Sequence, residues 1–245
     1  MQKQPPQPKK PEFPMRVNRY LALKGYSSRR EADALISKGI VTINGKKASL
    51  GDKVSESDVV EVDKTKKKGF KNYIYLAYNK SRGIVTHSPE EGQKDIRQAA
   101  RLTQDIFPVG RLDRDSEGLI LLTNDGRMTD KLLNPEREHE KEYVVRVNKP
   151  ITNIFVKVMQ QGVELEDFKT KPCIVKKKDD FTFHITLTEG KKHQIRRMCA
   201  AMGWSVASLR RVRIMNIHLG ALPKGQKRIL SGQELTKLLS DLGIK

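Results

Sequence analysis

The stretch GRLDRDSEGLILLTN, residues 110–124, sets a knot of charge directly against an apolar run. Leu119 to Leu122 reads as a strand, and Gly110, Arg111, Asp113, Arg114, Asp115, Ser116 and Glu117 crowd its entrance. If residues 111–115 are extended, Arg111, Asp113 and Asp115 point to one side, where an arginine can hold a carboxylate ionised and oriented. Asp113 can then act as a nucleophile or a base. Taken by themselves these residues read more readily as a solvated turn with local ion pairing, and their spacing names no reaction.

Outward from this stretch, the chain mixes strands and helices irregularly. Upstream, YIYLAYNKSRGIVT (73–86) holds two strand-like runs, DIRQAARL (95–102) a helix and DIFPVG (105–110) a strand. Downstream, EKEYVVRVN (140–148) and DFTFHITLTEG (180–190) alternate as antiparallel strands do, whereas TNIFVKVMQQG (152–162) and KHQIRRMCAAMG (192–203) have helical spacing. SGQELTKLLSDLG (231–243) predicts a surface helix with Leu235, Leu238, Leu239 and Leu242 facing inward. These elements predict an α+β domain over 73–245 with a mixed, largely antiparallel sheet.

The first third reads as a separate module over 15–63. Val17, Leu21 and Leu23 mark a first short helix. Ser27 or Ser28 caps a second, in which Ala32, Leu35 and Ile36 recur at helical spacing and Gly39 supplies the stop. The run IVTI then ends in the hairpin signal Asn44-Gly45. Before this module, residues 1–14 read as a disordered basic arm with no secretory h-region. After it, 64–72 reads as an exposed basic linker.

The 245 residues carry 48 Lys and Arg against 29 Asp and Glu, a net charge of +19, which favours a polyanionic partner. The excess is spread along the chain, since residues 1–70 hold only sixteen basic and eight acidic side chains. No segment approaches the roughly 20 apolar residues of a membrane span. The two cysteines, Cys173 and Cys199, make no disulfide framework, and together with five histidines they show no metal-ligand spacing; the cytoplasm fits this composition. Neither a Walker loop nor a Gly-x-Ser-x-Gly elbow is present in the sequence.

The segment SSRREADALISKGIVTINGK (27–46) resembles an S4 RNA-binding domain. The set GRLDRDSEGLILLTN, HEKEYVVRV (139–147), LTEGKKHQIRRMCAAMG (187–203) and RRVRIMNIHLG (210–220) resembles, in that order, the small-subunit-type family of ribosomal RNA pseudouridine synthases. Within it the F-type branch, which acts on 23S ribosomal RNA and also on a tyrosine tRNA anticodon, is the most similar. The resemblance implies an RNA pseudouridine synthase with no cofactor and no metal, acting as a monomer on 23S RNA. Carried over residue by residue, the resemblance makes Asp113 the catalytic carboxylate, Arg111 and Arg196 its electrostatic partners, and Tyr143 the ring against which the target uracil packs.

The reaction breaks the N1–C1′ glycosidic bond, turns the detached base and rejoins it through C5. Attack on the sugar, attack on the base and removal of a ribose proton all remain open. A stacked base cannot reach the carboxylate, so the uridine must be extruded, with compensating contacts to the RNA. Arg29, Arg30, Lys46 and Lys47 in the first module, and Lys191, Lys192, His193, Arg197, Arg210, Arg211 and Arg213 in the second, are the candidate RNA contacts. Two rival readings exist. A non-catalytic ribosome-binding or assembly factor would bind RNA whether or not Asp113 is intact. A glycosidase built on Asp113 and Glu117 fits poorly with 6% aromatic residues and this positive charge.

Overall fold

A computed structural model describes residues 12–24, 26–27, 29–63, 73–103 and 105–244. Most of the expected arm, all of the 64–72 linker and the Ser28 cap lie outside them. The described residues divide into two compact units: one takes in those up to Tyr73 with Asp125–Asp130 and Ile244, the other Ile74–Asn124 and Lys131–Gly243.

The first unit contains β1 (Met15–Arg16), α1 (Val17–Leu23), α2 (Arg29–Ser37), β2 (Val41–Ile43), β3 (Lys46–Lys47), β4 (Lys53–Val54) and β5 (Val60–Val62). Val17, Leu21, Ala32, Ile36, Val41, Ala48 and Val54 form its core. Leu23 does not belong to it: it lies two residues beyond Leu21, about 200° round the helix, and is exposed. Ser27 is buried with its hydroxyl unpaired among the described residues. Gly39, at φ +64°, ends α2 in a Schellman arrangement, its N–H donating to the Ile36 carbonyl while the Ile40 N–H reaches Leu35. Asn44 and Gly45, both at positive φ, turn β2 onto β3 with Ile43 opposite Lys46. The Asn44 side chain also bonds Asp58 and the Val59 N–H, which sets β5 beside β2.

The second unit is built on one nine-stranded mixed sheet. Its elements are β6 (Tyr75–Lys80), α3 (Ile96–Ala99), β7 (Phe107–Val109), β8 (Glu117–Thr123), then, after α4 (Arg127–Leu133), β9 (Lys141–Val147), α5 (Asn153–Gln161), β10 (Ile174–Lys177), β11 (Thr182–Leu187), α6 (Gln194–Ala201), β12 (Val206–Ile214), β13 (Ile217–His218), β14 (Lys227–Ile229) and α7 (Gly232–Asp241). The main path runs β10-β11-β9-β12-β8-β6-β14, with β7 paired to β8 and β13 to β12. Every pairing in it is antiparallel except β8 with β12. Tyr143, Val145 and Val147 alternate into the core, where Phe155 packs edge-on against Phe183 at 5.4 Å. In α7 and at its C-cap, Leu238 and Leu242 are buried and Leu235 and Leu239 half-buried, as the leucine stripe predicts.

Two expectations fail locally. The second run of YIYLAYNKSRGIVT is a loop with one ladder contact among the described residues, the bridge Val85↔Asp95. Gly83 turns the chain at φ +89°, and the Thr86 hydroxyl bonds to the Leu112 carbonyl instead of continuing a strand. Residues 111–115 are likewise not one extended run, because the chain turns at Arg114–Asp115, where the Ser116 N–H closes onto the Asp113 carbonyl at 3.0 Å.

The parallel pairing of β8 with β12 depends on Gly118, at φ +106°. A Cβ there would stand 2.3 Å from the Arg211 carbonyl oxygen and 2.8 Å from its nitrogen, so only glycine lets β12 come this close. Insertion of β12 between β8 and β9 brings Gly118, Arg211 and Tyr143 into one cross-strand row.

Candidate active site

Asp113 sits in the loop between β7 and β8, and each of five consecutive backbone carbonyls around it accepts a hydrogen bond from a defined donor. Arg211 Nη1 reaches Arg111 at 3.4 Å, Thr86 Oγ1 reaches Leu112 at 2.7 Å and the Ser116 N–H reaches Asp113 at 3.0 Å. The Gly83 N–H reaches Arg114 at 2.8 Å, and Arg196 Nη2 reaches Asp115 at 3.1 Å. The Leu112 N–H also returns a bond to Thr86 Oγ1 at 3.2 Å. These donors come from the loop after β6, from β12 and from α6, so the backbone carrying Asp113 is held from several sides while its side chain stays about one-third exposed.

The two acids of this loop and the one that opens β8 face three different segments. Asp113 Oδ1 lies 3.4 Å from His193 Nε2, Asp115 pairs with Arg82 at 3.7 Å and Glu117 with Lys224 at 2.7 Å. Arg196 does not use its guanidinium on the Asp113 carboxylate: besides Asp115 it reaches the Val206 carbonyl at 3.4 Å and Ser116 Oγ at 3.5 Å. It therefore fixes the turn that presents Asp113. Arg111 is exposed.

Beneath the loop lie cations that the sequence reading placed elsewhere or missed. Lys80 ends β6 fully buried, its Nζ donating to Ile84 at 2.7 Å, Ser81 at 3.1 Å and Arg114 at 3.5 Å. Burial pulls its pKa down to about 8, against the opposing attraction of Asp113 and Asp115. Lys141 is also lowered to about 8, by burial first and then by repulsion from Arg211. A lysine ending the apolar run YLAYN, with no acid beside it, was the available signal for Lys80.

Arg211, expected on an RNA-facing surface, is buried instead. Its Nε donates to the Leu119 carbonyl at 2.7 Å, and Nη2 has no partner among the described residues. Leu209 and Arg211 share the inner face of β12, which the alternation could have shown. Arg213 is corrected in the same way: it bonds Glu142 at 3.0 Å, Glu140 at 2.9 Å and the Met215 carbonyl at 2.9 Å, so its donors are taken up by the fold. Arg210 is half-buried.

Tyr143 is buried in β9, opposite Arg211 on one side and Ile185 on the other. Lys191, Lys192 and His193 remain exposed. Arg197 pairs with Asp167, and both Lys191 and Arg197 approach the Phe168 ring, at 5.7 Å and 5.3 Å. In the first unit Arg29, Arg30, Lys46 and Lys47 are exposed. Lys47 Cδ lies 3.6 Å from where a Cβ on Gly39 would stand, so this side chain reaches the end of α2 opposite Arg29 and Arg30.

Among the described residues no group of three or more His, Cys, Asp or Glu side chains could hold a metal ion, and no helix is long and apolar enough to cross a membrane.

Residues 74–201 match the family model for RNA pseudouridylate synthase, and residues 15–60 match that for the S4 domain. The dual-specificity RNA pseudouridine synthase RluF of Escherichia coli (strain K12) is 44% identical over 93% of this chain and 79% of its own length. The ribosomal large subunit pseudouridine synthase B of Bacillus subtilis (strain 168) is 36% identical, covering 93% of this chain and 98% of its own. A crystal structure of a pseudouridylate synthase superposes with TM-score 0.67 at 28% identity, over 91% of this chain and 99% of that one. Family model, relatives and fold agree, and the chain belongs to the RNA pseudouridine synthases, as an RNA-binding isomerase with an S4 domain ahead of its synthase domain.

Proposed function

We propose that this enzyme converts uridine to pseudouridine in 23S ribosomal RNA, with a tRNA as a second substrate, through Asp113. The observation that carries the role of Asp113 is the set of five bonded carbonyls at residues 111–115: the backbone is fixed while the carboxylate is left open to an extruded nucleotide. The large-subunit and dual-specificity names of the relatives support the substrate pair.

Tyr143 supplies the aromatic face for the detached uracil, next to Arg211 in the same cross-strand row. Arg196 and Arg111 add positive potential beside Asp113, Arg196 from the turn it braces. The bond changes balance without an external electron acceptor: N1–C1′ breaks, C5–C1′ forms, the C5 proton leaves and N1 gains one. No cofactor is required, and a monomer in the cytoplasm, where ribosomal RNA is met, suffices.

The test is to incubate wild type and Asp113→Asn with ribosomal RNA lacking the modification and map pseudouridine by carbodiimide-based primer extension. Product from the wild type alone, at a 23S position, is the expected result. Product from Asp113→Asn removes Asp113 from the mechanism. RNA binding by both proteins with product from neither, over several assembly states of the substrate, makes the chain a binding factor.

A further inference from the structure

We infer that His193 is a positioning residue for Asp113 rather than an RNA contact, which rests on Asp113 being the reacting carboxylate. Its Nε2 stands 3.4 Å from Asp113 Oδ1, within ion-pair reach when the ring is protonated. Arg82 and Lys224 pair with the neighbouring acids, Asp115 and Glu117, leaving His193 opposite Asp113, the first of the three.

The turn that aims His193 is built for a fixed direction. His193 precedes α6 in the left-handed region, at φ +53° and ψ +23°, which few non-glycine residues occupy. Its side chain makes no capping bond to the helix, although it stands at the N-cap, so the imidazole is free for Asp113. The contacts that hold this conformation centre on the buried Glu189 carboxylate. It accepts the Lys171 N–H at 2.9 Å and Gln194 Nε2 at 2.6 Å. Gln194 Oε1 in turn accepts the Lys191 N–H at 3.0 Å, closing the turn over Lys192 and His193. From the other side, the Arg197 N–H donates to the His193 carbonyl at 2.9 Å.

The turn also rests on the hairpin after α5. Its bridge Glu164↔Lys169 and the bond from the Val163 N–H to Thr170 Oγ1 at 2.8 Å fix its base, and Lys171 carries that base to Glu189. His193 is thus oriented through Gln194, Glu189 and the 163–171 segment, in the way a third group orients a catalytic pair. Holding Oδ1 in one place leaves Oδ2 as the oxygen that meets the nucleotide.

His193→Asn and His193→Gln separate this role from an RNA contact. Asparagine tolerates the left-handed backbone but is too short to reach Asp113, whereas glutamine can still offer an N–H to the carboxylate. Single-turnover rates and RNA dissociation constants are measured for both, with Asp113→Asn alongside. The expected result is a rate for His193→Asn reduced tenfold or more with the RNA Kd within twofold of wild type, and His193→Gln within about threefold of the wild-type rate. A wild-type rate for His193→Asn, a loss confined to Kd, or equal losses in the two variants overturns the positioning role. Activity in Asp113→Asn instead overturns the reading of Asp113 on which it rests.

Discussion

Replacement of Gly118 by alanine tests whether the close approach of β8 and β12 sets up the site. The new Cβ would lie 2.3 Å from the Arg211 carbonyl oxygen, about 1 Å inside ordinary contact, and φ is +106°, where a side chain is strained whatever the space. The backbone conformation costs roughly 1–3 kcal/mol, and prising two packed strands apart adds about 1–3 kcal/mol. A loss near 4 kcal/mol corresponds to a fall in Tm of roughly 10 °C for a domain of this size. Displacement of Arg211 also loosens its bonds to the carbonyls of Leu119 and Arg111, so the Asp113 loop shifts and activity falls ~100-fold for an error near 1 Å. Gly203→Ala is the control, because Gly203 has φ +84° but nothing within 4 Å of its Cβ position. Thermal melting and single-turnover rates on unmodified RNA compare the two. If Gly118→Ala is no less stable and no less active than Gly203→Ala, the close-approach reasoning is refuted.

Further outcomes follow from the same geometry. Lys80 and Lys141 have folded pKa values near 8, below the ordinary 10.5, so above pH 8 the unfolded chain holds more protons than the native one. Stability therefore rises from pH 8 toward pH 10, by up to about 1.4 kcal/mol per pH unit for each lysine, and urea titrations should show Lys80→Met losing about half of that slope. Arg213→Met, which takes one partner each from the half-exposed Glu140 and from Glu142, still held by His184, should cost about 1 kcal/mol of stability while the salt dependence of RNA binding stays unchanged; a shallower salt slope would return Arg213 to the RNA contacts. Asp167→Asn frees the Arg197 guanidinium, so filter binding should show tighter RNA binding, with the slope of log K against log salt steeper by roughly 0.7 for one added phosphate contact.

Local chemistry made much of the architecture legible in the sequence. Asn44-Gly45 and Gly39 each act within a few residues, one supplying the left-handed backbone of a hairpin turn and the other closing a helix on its own last carbonyls. The alternation in 140–148 and 180–190 gave β9 and β11, and the ordered motifs around Asp113, Tyr143 and Arg196 pointed to the family. Tertiary structure alone decided how Asp113 is held. The donors to the carbonyls of Leu112, Asp115 and Arg111 lie 26, 81 and 100 residues away in sequence, and nothing in 110–124 indicates which of them will arrive. The same holds for Arg211 and Arg213: a count of charges places arginines at the surface, and only the insertion of β12 between β8 and β9 supplies the carbonyls and carboxylates that let both turn inward. Propensity and periodicity act over a few residues, whereas burial of a charge requires partners that only chain closure brings together.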